Sequence, residues 1–347
     1  MPADLTQKFL LDLAELPDEA AIFGSTAAMG EIRSTIDQVG SSDLPVLIQG
    51  ESGTGKEVIA QYIHSRSKRS EAPFVKVNCA AVPASLLESE LFGYEKGSFT
   101  GALQSRPGLV EIAEGGTLFL DEIGEMHWSL QEKLLQLLKD GTFTRIGGCT
   151  NLVGRIRVIC ATNADLKGAV DSGAFRDDLF YRVDAVSLRL PALRDRKNDI
   201  PQLCEFFLEK LARKFSRTAL HLDPGMLRLV MQWDWPGNLR ELENWIARAI
   251  ILGEVETVGA ELRRKLVWTK GVEHREVRNG AQKDISRKPI SAASKALILK
   301  VLQANRWNRR KTAQDLHMMY RSLLYKLRQA GISQPRRGHR GFPPSAR

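Results

Sequence analysis

The sequence predicts an α/β core, a parallel sheet with helices on both faces, followed by a helical subdomain and a small all-α domain. Three observations carry that prediction. Short apolar runs at 44–48, 74–78, 117–120, 156–161 and 185–190 alternate with helical stretches such as 56–66, 83–92 and 128–139, and strands separated by helices pair in parallel through crossovers. From Asn198 to about Leu252 the pattern turns all-helical. The third is charge: residues 261–347 hold 22 Lys/Arg against 5 Asp/Glu, a net of +17, which under the total of +9 leaves 1–260 at −8. A mildly acidic body with a strongly basic segment points to a polyanion partner for the C-terminal part alone.

At 347 residues and 43% hydrophobic content the chain has the size for two or three domains. No apolar run approaches the ~20 residues that span a bilayer. The first twenty residues are acidic and lack a basic stretch followed by an apolar one, which argues against a secretory signal. Cys79, Cys149, Cys160 and Cys204 lie far apart with no CxxC pair. That spacing speaks against zinc and suits a reducing, cytoplasmic location.

Taken in order, residues 1–20 form a short leader, and Ser25 and Thr26 are placed to cap a helix beginning near Ala28. The core is assigned to 21–194 and the helical subdomain to 195–254. Within the latter, Asp223 before Pro224 makes a good helix start, because proline costs nothing at the first helical position. Trp235-Pro236-Gly237 breaks the chain before another helix near Asn238. Residues 255–290 are polar, charged and weakly periodic, and read as a linker. A compact helical domain at 291–332 follows, and 333–347 has too few apolar residues to fold, so a disordered basic tail is expected.

The strand at 44–48 runs into Gly50-Glu51-Ser52-Gly53-Thr54-Gly55-Lys56-Glu57 and then into a helix, the context of a phosphate-binding loop. The glycines let backbone N–H groups converge on phosphate oxygens, and the helix that follows aims its positive end at them. Lys56 is placed to reach the β- and γ-phosphates. Glu57 stands where the usual loop has Ser or Thr on magnesium, which leaves the metal more dependent on other carboxylates and water. About 65 residues on, the strand at 117–120 ends in Asp121 and Glu122. Asp121 suits holding Mg²⁺, usually through water, and Glu122 suits orienting and deprotonating the attacking water. Together the two motifs indicate a nucleoside triphosphatase.

The run ESELFGYEKGSFTGA (88–102) closely resembles the signature of the bacterial enhancer-binding proteins, AAA+ activators of sigma-54 RNA polymerase. The resemblance covers roughly 21–253 and continues through GGTLFLDEIGEM, VICATNADL, FRDDLFYRV and WPGNLREL. It implies an AAA+ ATPase core with a helical lid, using ATP and Mg²⁺ to remodel the sigma-54 holoenzyme. In the segment Gly97-Ser98-Phe99-Thr100-Gly101-Ala102, Phe99 and Thr100 would form the tip of a loop inserted in a helix and touch sigma-54. Most members carry Ala where Ser98 stands. The stretch Thr144-Arg145-Ile146-Gly147-Gly148 resembles the companion loop that moves with the first. By the same resemblance Asn163 senses the γ-phosphate, and Asn78 holds Glu122 away from water until the loops engage. Arg176 and Arg182 are offered to a neighbouring subunit's ATP, Arg240 reaches the nucleotide from its own lid, and Ile22, Phe23 and Gly24 flank the adenine. An arginine supplied across a head-to-tail contact implies a closed ring, in this family a hexamer.

Residues 296–332 read as three helices that resemble the Fis-type helix-turn-helix closing many of these proteins. Ile298, Leu299 and Leu302 face inward on the first helix, and Leu323, Leu324 and Leu327 form core on the third. Arg321, Ser322, Tyr325, Lys326 and Arg328 are the candidates for the major groove of double-stranded DNA. Asn308, Arg309, Arg310 and Lys311 suit phosphate contacts. Such modules pair, so an imperfect palindrome is the expected site. Only about 20 residues precede the core, whereas the family commonly places a receiver or ligand-sensing domain there. The expectation is therefore activity that is constitutive or held down by a separate protein in trans. Two other readings share the motifs: a regulator acting on another polymerase, and an AAA+ machine serving another client. The intact Phe99-Thr100 favours sigma-54.

Overall fold

The computed structural model describes residues 16–218 and 220–279 and, further along, the single positions 299, 302, 305, 307, 312 and 327. They fall into two units, one up to Trp268 and one from Thr269.

The first unit begins with α1 (Glu19–Phe23) and α2 (Ala27–Val39), then β1 (Val46–Gln49), α3 (Lys56–Ser65), β2 (Phe74–Asn78), α4 (Ala84–Phe92) and α5 (Leu109–Ile112). It continues through β3 (Thr117–Asp121), α6 (Trp128–Asp140), a small hairpin of β4 (Thr142–Phe143) and β5 (Leu152–Val153), β6 (Arg157–Thr162), α7 (Leu166–Asp171), α8 (Asp177–Val183) and β7 (Val186–Arg189). Strands β2, β3, β6, β1 and β7 lie in that order in one sheet, all paired in parallel. The predicted α/β core is thus present.

Alternation along the strands supplies both faces of the sheet. Leu47, Val75, Val77, Leu118, Leu120, Val158 and Cys160 face α4, α6 and α8. Val46, Ile48, Phe74, Phe119, Ile159 and Ala161 face α1, α2 and α3. With both faces covered, the central strand β6 is buried at all six residues. Its first residue, Arg157, is nonetheless charged. Its guanidinium donates to Gly40 O at 2.7 Å and Val39 O at 3.1 Å, the carbonyls that end α2, so a positive charge meets the negative end of a helix.

The helical lid begins with a 3-10 segment, Leu193–Asp199, and continues as α9 (Ile200–Phe215), α10 (Pro224–Gln232), α11 (Asn238–Leu252) and α12 (Val255–Asn279). Asp223 caps α10 as expected, its Oδ1 accepting from Gly225 N at 2.6 Å and Met226 N at 3.0 Å. Leu203, Phe207, Trp235, Trp245 and Ile246 pack into a core of their own. Here the structure corrects the linker assigned from residue 255. Val258 and Leu262 join that core, and Leu266 is buried as well. Their spacing of four puts them on one face of α12.

A second difference lies at the start of α2. The Ser25 and Thr26 hydroxyls leave the helix uncapped and donate instead to Asp199. In the second unit, Leu302 and Leu327, both read as inward-facing, are buried. The positions proposed for DNA contact, Asn308, Arg309, Arg310, Lys311, Arg321, Ser322, Tyr325, Lys326 and Arg328, lie outside the described residues, as do the leader up to residue 15 and the tail. Among the described residues no helix is long and apolar enough to cross a membrane.

Candidate active site

The phosphate loop links β1 to α3 at the carboxyl edge of the sheet. Gly53 (φ +81°) and Gly55 (φ +98°) adopt left-handed conformations that glycine reaches without a steric cost. At Gly53 absence of a side chain matters twice, because a Cβ there would overlap the Gly237 carbonyl oxygen of the lid. Lys56 opens α3 and is 7% exposed. Its Nζ donates to Gly50 O at 2.9 Å and Glu51 O at 3.3 Å and stands 3.8 Å from Glu122 Oε1. Burial pushes its pKa down, opposed by the charges of Glu122 and Asp121.

Across the cleft, β3 delivers Asp121 and Glu122. Burial, reinforced by the neighbouring Glu122, raises the Asp121 pKa. Glu122 adopts φ +53°, a left-handed conformation uncommon for a side chain of its size, and its Oε2 accepts the Asn163 backbone N–H at 3.1 Å. Asn163 thus meets Glu122 through its main chain. Because β6 lies between β3 and β1, the residue following it sits between the two motifs.

One wall of the cleft is apolar, with Ala21, Ile22 and Met29 from the core facing Leu203, Phe206 and Phe207 from α9. The other end is lined by residues 52–59, Asp121, Glu122 and Arg240. An apolar slot running into a phosphate loop fits a nucleotide laid base-first. Arg240 Nη1 donates to Ser52 Oγ at 3.1 Å, which places the lid guanidinium at the loop.

Several expected residues stand elsewhere. Of Ile22, Phe23 and Gly24, only Ile22 lines the cleft. Phe23 turns inward against Tyr62, ring centroids 4.9 Å apart, because α1 carries it to the core side. Gly24 lies against Asp199, where a Cβ would collide with the carboxylate. Asn78 is the register partner of Asp121, yet its Oδ1 accepts from Ala80 and Ala81 N–H at 3.0 and 3.1 Å. That oxygen caps the local turn, whereas holding the Glu122 carboxylate is a task for the Asn78 Nδ2 donor. Glu57 does line the cleft, with its carboxylate paired to Lys76 at 2.6 Å. Arg176 binds Asp178 with two bonds of 3.0 Å and lies over the Trp128 ring. Arg182 donates to Leu138 O at 3.0 and 2.8 Å. Neither arginine lines the cleft.

The loop at 93–108 connects α4 to α5. Gly97 (φ +84°) and Gly101 (φ +111°) flank its tip, and a Cβ on either would meet nothing within 4 Å. Phe99 is 46% exposed, with Tyr94 edge-on at 5.0 Å, and Thr100 is exposed. Ala102 is buried beneath, accepting from Gly97 N at 2.9 Å. The Ser98 Oγ is closed off from solvent without a hydrogen-bond partner, with Gly147 packed so tightly that a Cβ there would lie 2.7 Å from Ser98 Cβ. The companion loop is bonded to the first: Glu95 N donates to Ile146 O and Ile146 N to Gly93 O, both at 3.0 Å. Arg145 completes the joint, donating to Glu111 at 3.0 and 2.7 Å and to Glu95 at 3.0 Å. The sequence points to Arg145 but not to its pairing with these two carboxylates, of which Glu95 lies within the signature run 88–102 and Glu111 outside it.

This fold and site define a phosphate-loop ATPase of the AAA+ class with a helical lid. Family models match at three places along the chain: the sigma-54 interaction domain at 22–189, the AAA+ ATPase lid domain at 194–277, and the bacterial regulatory protein, Fis family, at 290–329. The regulatory protein AtoC of Escherichia coli is 45% identical over 312 residues, 90% of this chain and 68% of that protein. The Nif-specific regulatory protein of Azotobacter vinelandii is 41% identical over 90% of this chain, which spans 59% of that protein's length. Among solved structures, NtrX from Brucella abortus in complex with ATP matches with a TM-score of 0.65 at 30% identity, over 89% of this chain and 69% of that one. The chain belongs to the sigma-54-dependent transcription activators, with AAA+ and Fis-type DNA-binding domains.

Proposed function

We propose that the protein hydrolyses ATP to ADP and phosphate and spends the free energy on converting a closed sigma-54 polymerase–promoter complex into an open one. The observation that carries this reading is the solvent-facing Phe99-Thr100 tip, set between two unobstructed glycines and hydrogen-bonded through the companion loop to the same core that holds the cleft. An exposed aromatic beside a hydroxyl suits a protein contact, and freely turning glycines let it be presented or withdrawn.

In the cleft, phosphate oxygens would take Lys56 from the Gly50 and Glu51 carbonyls, which hold its ammonium meanwhile. Glu122, 3.8 Å from Lys56, orients and deprotonates the attacking water. Asn163 keeps Glu122 in place and stands where a γ-phosphate is sensed. The base occupies the slot by Ile22, and Arg240 closes from the lid. Among the described residues no three His, Cys, Asp or Glu side chains are grouped to hold a metal, so Mg²⁺ fits as an ion held by Asp121, water and phosphate. That ion would supply charge neutralisation at the β- and γ-oxygens.

Arg176 and Arg182, which stand outside their own cleft, serve a neighbouring copy's ATP, and such a head-to-tail contact closes into a ring, in our reading a hexamer. Asn78 is a switch residue whose present partners are Ala80 and Ala81. The Fis-type domain holds upstream double-stranded DNA as paired modules. Promoter-specific transcription with purified sigma-54 holoenzyme tests the proposal. Open complexes are expected only with hydrolysable ATP, and Thr100→Ala is expected to abolish them. Open complexes formed without nucleotide, or formed equally well by Thr100→Ala, would overturn it.

A further inference from the structure

One acidic side chain of the phosphate loop faces the lid. Arg194 donates to both oxygens of Glu51, Nη1 to Oε2 at 2.9 Å and Nη2 to Oε1 at 2.6 Å, and Asn238 Nδ2 donates to Oε2 at 3.2 Å. These bonds, Arg194 foremost, hold the Glu51 pKa at about 2. Asn238 is fully buried. Its amide also donates to Ser52 O at 3.0 Å and accepts Leu193 N–H at 2.8 Å. The next residue, Leu239, donates its N–H to Gly53 O at 2.9 Å, and Arg240 follows immediately. Glu51 is therefore the junction of three elements: the phosphate loop, the segment that begins the lid, and the first turn of α11.

The lid segment is held at its far end too. Asp199, 1% exposed, accepts from the backbone N–H and hydroxyl groups of both Ser25 and Thr26 at 2.7–3.2 Å, a few residues beyond Ile22 in the base slot. Between these ends Arg196, 2% exposed, donates to Thr54 O at 3.2 Å. Seven residues, Leu193–Asp199, thus touch both ends of the cleft before α9 begins.

We infer that Glu51 is a positioning residue, not a nucleotide ligand: through Arg194 and Asn238 it passes the arrival of phosphate at the loop into the lid and sets where Arg240 stands. The inference rests on the cleft holding ATP. Its physical basis is a contrast in roles. The Glu51 and Arg194 side chains are 45% and 40% exposed, and an ion pair in water adds little to stability. It does fix a direction between the phosphate loop and the lid, which is what a phosphate-driven closure would need.

The test is hydrogen–deuterium exchange on the full chain with Mg²⁺ and a non-hydrolysable ATP analogue, alongside steady-state ATPase kinetics. In the wild type, the analogue is expected to protect amides at 50–57 and at 238–246. In Arg194→Ala the loop is still protected, with affinity within ~3-fold, while the lid response falls by about half or more and kcat drops ~10-fold at a nearly constant KM. The charge swap E51R/R194E recovers both to within about twofold, which a merely lost surface contact would not do. E51Q, which keeps the shape and loses the charge, is expected to fall between. A lid response and kcat unchanged in Arg194→Ala, or a swap no better than the single variant, overturns the relay and leaves the ATP site standing. Absence of protection at 50–57 in the wild type overturns the ATP reading itself, and the relay with it.

Discussion

Around the cleft the charged groups are already engaged: Lys56 with two loop carbonyls, Glu122 with the Asn163 N–H, Glu51 with Arg194 and Asn238. At the tip of the 93–108 loop the reverse holds, with Phe99 and Thr100 facing water and open space around Gly97 and Gly101. Chemistry on a phosphate gains from donors held at the site before the substrate arrives, since little more than the exchange of the Lys56 carbonyl partners for phosphate is then needed. A contact that has to be made and broken in each cycle gains from the opposite. The molecule thus has an end whose charged groups are engaged and an end that stands open, the latter braced against the companion loop by the hydrogen bonds at Gly93, Glu95 and Ile146.

The largest effect should come from the engaged end. Glu122→Gln is expected to lower kcat by ~10³ with nucleotide binding intact, measured by phosphate release and by equilibrium binding of a fluorescent ATP analogue. A loss below tenfold would remove Glu122 from the role of base. At the joint, Arg145→Ala breaks the bonds to Glu95 and Glu111 and is expected to reduce open-complex formation ~10-fold while ATPase stays within ~3-fold. If both activities fell together, the two ends would not be separable and the comparison would fail. The smallest change is in stability. Asp199→Ala strands the Ser25 and Thr26 donors and is expected to cost about 2 kcal/mol, read as a lower midpoint in urea with an unchanged slope. An unchanged midpoint would mean that water replaces the carboxylate at no cost.

Much of this was legible in the sequence where chemistry and periodicity coincide. The strand at 74–78 and the helix at 56–66 matched closely, because an apolar run between breakers leaves few alternatives. The phosphate loop and the Asp121-Glu122 pair announced themselves by residue type. Other elements carried weaker signals. Strands β4 and β5 are two residues each, too short for any period to register. In α12 the repeat of Val258, Leu262 and Leu266 is present but diluted by the Arg and Lys between, and such charge density reads as a solvated stretch. Leu193–Asp199 hid its buried Arg196 and Asp199 in the same way, since a run of charges ordinarily lies in water. Phe23 was misplaced because the five-residue helix α1 decides which neighbour points inward, and only packing reveals that.

The position of β6 has a mechanical consequence. Flanked by β3 on one side and β1 on the other and buried along its full length, it is a closely packed rail. Asn163 rides at its end, so the main-chain bond it gives Glu122 is anchored to a closely packed strand. Under the proposed sensing role, a small shift at Asn163 would be passed to Glu122 through that bond.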